Sequence, residues 1–193
     1  MEKLRKMEPN PRLHSLGQKT FQAPKAPNEE PVRKQASEAF LPPSRLDRDG
    51  KDAWPTIVFR CAASGSLESL RAEPKWWFES SRGEVKIVLL FFHDPKSSAI
   101  HLEKWDVPTV PKQPVSSAQP GHAEPSAIKT HELDIIKGAA TEATLTLEFE
   151  KIFLRQPKQG ENDIVFTAGD LTEYAKGVWS TPKAKKSKTS KKM

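Results

Sequence analysis

Glu84-Val85-Lys86 sets a carboxylate and an ammonium two residues apart. On a strand both side chains point to one face. A carboxylate so placed can help to hold Mg²⁺, and the metal can activate water against a phosphodiester. That chemistry needs a second acid from the preceding strand, and Trp54-Pro55-Thr56 offers none. The pair therefore reads first as the solvated entrance to a strand. His93-Asp94 ends the most apolar run and reads as a hairpin turn. The five histidines show no metal spacing, and with the single Cys61 they give no zinc site. No phosphate-binding loop, dinucleotide fingerprint or nucleophile elbow is present. Trp76-Trp77 are adjacent helical residues, so at most one faces a core; Trp77 is the core candidate and Trp76 an exposed interaction residue.

The elements that would position these residues lie between Trp54 and Trp179. Ile57, Val58 and Phe59 open a buried strand over 56–62. Ser64-Gly65-Ser66 is a turn with a helix N-cap signal. Pro74 interrupts the helical pattern that follows, which predicts a kinked helix or two short pieces over 66–80. Val85 to Phe92 is apolar on both faces, as a strand covered on both sides must be. Ile100 and Leu102 alternate with His101, Glu103 and Trp105, which predicts a half-exposed hairpin partner. Residues 107–125 read as a Pro-rich loop and 128–136 as a strand. Thr144 to Phe149 alternates cleanly as a strand, weakly continued to Leu154. A short strand over 163–166 follows, then a helix over 168–179 begun by Thr167-x-x-Asp170. The fold class is mixed α/β, with a central mixed sheet and flanking helices.

Residues 1–53 hold seven prolines and few large apolar residues, and read as a disordered arm with a weak helix at Val32–Phe40. Residues 180–193 read as a disordered basic tail carrying Lys183, Lys185, Lys186, Lys188, Lys191 and Lys192. The charge is uneven. The net +6 comes from the two ends: residues 1–50 hold ten Lys/Arg against seven Asp/Glu, whereas 51–182 hold fifteen against eighteen. The folded part is thus slightly acidic, unlike a nucleic-acid-binding domain with its own basic face. The lysine tail suits sequence-independent attraction to phosphate, or nuclear import. One cysteine, expected as a buried inert thiol, favours a reducing compartment and an intracellular place, nuclear or cytoplasmic. No signal peptide or membrane span is expected; the longest apolar run, Ile87 to Phe92, falls far short of a span.

The runs PTIVF, SLESLRAEPKWWF, SSRGEVKIVLLFF, IHLEKW, LTLEFEKIFLR and DIVFTAGDLTEYAKGVW resemble an uncharacterised family of fungal proteins, over about 55–179. That family's pattern resembles restriction-endonuclease-like proteins of the PD-(D/E)xK type, over about 55–105. The resemblance implies a nuclease-type sheet with Mg²⁺ held by acids at strand ends. This chain departs at that point. Arg60 stands at the strand glutamate position, Ala62 and Ala63 replace glycine and tyrosine, and Gly65 replaces the next glutamate. The helix aspartate is Glu73, followed by Pro74. A cation at the metal position repels the metal, so the expectation is a fold without catalysis and without a cofactor. Arg60 would pair with Glu73 or Glu84.

Three functions stay open: a degenerate, non-catalytic binding or interaction module; an active Mg²⁺ nuclease using Glu73, Glu84 and Lys86; and a partner-binding protein unrelated to nucleic acid. Partners follow from the tail (nucleic acid or an import receptor) or are proteins.

Overall fold

The computed structural model describes residues 12–24, 30–94, 97, 99–107, 127–136 and 144–180. Its frame is a six-stranded mixed sheet in the order β1-β4-β5-β6-β7-β8. These strands are β1 (His14–Ser15), β4 (Glu38–Leu41), β5 (Ile57–Ala62), β6 (Ile87–Asp94), β7 (Ala99–Asp106) and β8 (Ile128–Ile136). Only β5 and β6 run parallel; the other neighbours are antiparallel.

A parallel pair needs a crossover. Here it is two short helices, α2 (Leu67–Arg71) and α3 (Glu73–Ser80). The Ser66 hydroxyl caps α2 by accepting from the Ser69 N–H at 3.1 Å. Pro74 falls in the first turn of α3, where its missing N–H costs nothing, so it starts a helix instead of kinking one. The chain leaves α3 through Arg82 and Gly83, both with positive φ, and enters β6.

Strand β6 carries the core because both its faces are apolar. Ile87, Leu89 and Phe91 join a cluster with Phe59, Leu102, Phe149, Ile152 and Leu171. Val88 and Leu90 join a second cluster with Val58, Leu70, Trp77 and Phe78. Burying each large apolar side chain contributes roughly 1.5–3 kcal/mol against exposure. The first cluster is roofed by the two-stranded ribbon β9 (Leu145–Leu147) and β10 (Ile164–Phe166), by α4 (Phe149–Phe153) and by α5 (Ala168–Ser180). The expected box at Thr167 is formed: Asp170 Oδ2 accepts from the Thr167 N–H and hydroxyl, both at 2.8 Å.

Four expectations are corrected. Within the arm expected over 1–53, residues 12–24 and 30–53 are part of the fold: β4 pairs with β5, and β1 with β4. The hairpin of β2 (Thr20–Gln22) and β3 (Arg33–Gln35) drops Phe21 between Trp54 and Trp77, at centroid distances of 5.1 and 5.5 Å. The proposed helix at Val32–Phe40 is β3 and β4 instead. Pro24, Pro31 and Pro42 flank these strands, and Pro43 starts helix α1 (Pro43–Asp49). Second, the strand expected through Phe149 stops at Leu147. Phe149, Ile152 and Phe153 recur at helical spacing, and Asp163 Oδ1 accepts the Phe149 N–H at 2.8 Å to begin α4. Third, Cys61 is exposed, since the full burial of β5 ends at Phe59. Fourth, β7 is not half exposed: Glu103, Lys104 and Asp106 are all buried. The basic tail from residue 181, residues 1–11 and most of the Pro-rich loop lie outside the described residues.

Candidate functional site

The residues singled out in the sequence fall into two separate pairs. Arg60, near the outgoing end of β5, meets Glu73, the first residue of α3. Arg60 Nη2 donates to Glu73 Oε1 at 2.8 Å, and Nε donates to Oε2. Arg60 Nη1 also donates to the Gln35 carbonyl, tying the pair to β3. Glu84 lies beyond the other end of the ladder, where Arg45 Nη2 pairs with its carboxylate at 2.7 Å. Arg45 is buried, and its Nη1 also donates to the carbonyls of Trp54 and Glu84. Lys86 Nζ donates to the Gly83 carbonyl at 2.5 Å. Its pKa is lowered by burial and by the neighbouring Arg45, against the pull of Glu84.

The register sets the distance between these pairs. Arg60 lies opposite Leu90, whereas the N–H groups of Lys86 and Ile87 bond to Thr56. Four residues of strand, roughly 13 Å, separate the two levels. Glu73, Glu84 and Lys86 therefore do not converge on one ion. Trp77 is fully buried, as expected. Trp76 is half-buried, packed on Trp77 and Trp54, with the Lys34 ammonium 5.5 Å above its ring. His93 and Asp94 end β6, and the Ser97 hydroxyl donates to Asp94 at 2.7 Å, as a turn requires.

The densest polar cluster was not marked by the sequence reading. Residues of β7 alternate, so His101, Glu103 and Trp105 share the face of Leu90, and the β8 residues opposite them, Asp134, Glu132 and Lys129, share it too. Glu103 has no exposed side-chain surface. It accepts from Arg71 Nε at 2.8 Å and Nη2 at 2.5 Å and from Trp105 Nε1 at 2.9 Å, and its Oε1 lies 3.0 Å from His101 Nε2. Lys129 Nζ lies 3.4 Å away. Burial alone would raise the Glu103 pKa; the donors outweigh it and hold the carboxyl down at about 2. His101 Nδ1 lies 2.8 Å from Asp134 Oδ1. Burial pulls the His101 pKa down, but the carboxylates of Glu103 and Asp134 win and raise it.

The opposite face of β7 holds a second network. Lys104 Nζ sits 2.7 Å from both Glu148 oxygens and 3.4 Å from Asp106 Oδ2. Lys151 joins Asp106 and Glu148, each at 3.2 Å, and the Thr130 hydroxyl donates to Asp106 Oδ2 at 2.8 Å. Asp106 Oδ1 is buried with no protein partner. Two cations and two anions balance here.

Of these arrangements, only His101, Glu103 and Glu132 bring three metal-capable atoms together among the described residues, all within 4.8 Å of one another. The available signal was the same-face alternation of His101 with Glu103 in one strand and Glu132 with Asp134 in the other. Comparison of the chain with family models, curated proteins and solved structures gives no match.

Proposed function

We propose that this chain is a non-catalytic interaction module on a nuclease-like sheet. The observation that carries this reading is the Arg60–Glu73 pair. At the strand end where the PD-(D/E)xK resemblance requires acids, a guanidinium takes both oxygens of Glu73. Mg²⁺ would have to displace a partly buried cation to reach Glu73. Glu84 is likewise committed to Arg45. The six lysines between Lys183 and Lys192 supply the partner contact, either to nucleic acid through its phosphates or to an import receptor. The slightly acidic composition of residues 51–182 agrees with a tail-mediated tether and not with a basic reading face.

The test is incubation of the full chain with DNA and RNA, with Mg²⁺ and with EDTA, followed by NMR titration with Mg²⁺. No cleavage is expected, and no localised shifts at Arg60, Glu73, Glu84 or Lys86. Cleavage that EDTA abolishes and Glu84→Gln removes would establish the nuclease reading in its place.

A further inference from the structure

Asp134 sits on Nδ1 of His101, and Glu103 Oε1 sits on Nε2. When a neutral ring gives its Nδ1 proton to Asp134, Nε2 turns a lone pair onto a carboxylate oxygen 3.0 Å away. Two electron-rich atoms at that separation are joined either by the second proton of a charged ring or by a cation that takes its place. Glu132 adds to the demand, since it stands directly opposite Glu103 across the β7–β8 pair. Like charges so placed destabilise a sheet unless a cation joins them. The Arg71 guanidinium already lies on Glu103 Oε1, and the more exposed Lys129 ammonium, which pairs with Glu132, reaches the same oxygen at 3.4 Å.

We propose that His101 Nε2, Glu103 and Glu132 form a binding site for a divalent transition metal of the zinc class, in competition with the Lys129 ammonium. One imidazole nitrogen and two carboxylates suit zinc-class ions; an imidazole argues against Mg²⁺ or Ca²⁺. Asp134 is the outer partner that fixes the ring and points Nε2 at the metal. The ligands come from neighbouring strands, so Glu103 and Glu132 are registered by the ladder itself. Glu103 is preformed, buried and ionised, with Arg71 holding it in place. Glu132 and Lys129 are partly exposed, so the ammonium can swing away as the ion enters. Three protein ligands leave positions for water, which describes an open site and not a closed structural one. The Arg71 charge nearby keeps the affinity modest.

The test is calorimetric titration of the full chain with Zn²⁺, and with Co²⁺ read by its visible absorption. Lys129→Met removes the competitor and is expected to tighten binding by about tenfold, on the scale of one lost charge contact. Asp134→Asn is expected to weaken it by roughly 10–100-fold while leaving all three ligands in place. Glu132→Gln, at an exposed position, is expected to abolish the Co²⁺ spectrum without altering circular dichroism. Binding that survives both Glu132→Gln and His101→Asn unchanged would assign the metal to other residues and overturn the proposal. Absence of binding by the Lys129→Met chain would overturn it as well.

Discussion

Arg71, the last residue of α2, grips Glu103 in the middle of β7 through Nε at 2.8 Å and Nη2 at 2.5 Å. The crossover helix is thereby fastened to a strand that is not its sheet neighbour. Arg71→Met keeps the aliphatic stem and removes both donors. It is expected to cost about 2–3 kcal/mol, the scale of a hydrogen bond to a buried charge. Urea unfolding measures it, and an unchanged midpoint would mean that the remaining donors suffice.

Glu103 also sets an acid limit. Its carboxyl is held at about 2, against an ordinary 4.5. In the unfolded chain the group takes up its proton first, so the unfolded state binds more protons between these values. The contribution is complete above pH 4.5 and is lost as pH falls toward 2. Stability measured across pH 5 to 2 should therefore drop steeply, and Glu103→Gln should flatten that slope while lowering stability at neutral pH.

Phe21 is buried against Trp54 and Trp77 although it lies in a Pro-rich, weakly apolar segment. Phe21→Ala is expected to cost about 3–5 kcal/mol, as for other buried aromatics. Thermal unfolding decides the point; a neutral substitution would mean that the hairpin of β2 and β3 is not part of the cooperative unit.

The lysine tail gives a salt signature. Binding of the full chain to a DNA duplex should weaken steeply with salt, with a log–log slope of about 0.9 per neutralised phosphate. Changing Lys183, Lys185, Lys186, Lys188, Lys191 and Lys192 to Gln should remove most of that slope. A slope that persists would move the contact onto the folded residues.

Much of the sheet was legible because its signals are local. Strand β6 declares itself by six consecutive apolar residues, Ile87 to Phe92, and Pro74 marks the division between α2 and α3. Thr167 and Asp170 announce α5 by a spacing that one turn completes. The strands β1 to β4 were not legible, because two to four residues are too few for a period to show. The burial of Lys104 was hidden for a different reason. Its partner Glu148 lies 44 residues away, and nothing local distinguishes a paired lysine from a solvated one. The Arg60 pairing was legible only as a choice between Glu73 and Glu84, and the strand-to-helix turn decides it for Glu73 by bringing the start of α3 against the end of β5. The cluster around Glu103 needed three elements in register and was not.

The placement of β4 constrains how the molecule is made. A ribosome delivers β1 to β4 first, yet β4 lies against β5 and the sheet's apolar centre is β6. At roughly 5–20 residues per second, several seconds pass between the emergence of Phe40 and that of Leu89. Through that interval Phe21 lacks its Trp77 neighbour and Phe40 lacks the β6 side of its cluster. Growth of the native sheet must run backwards along the chain, from a seed completed late to strands synthesised early.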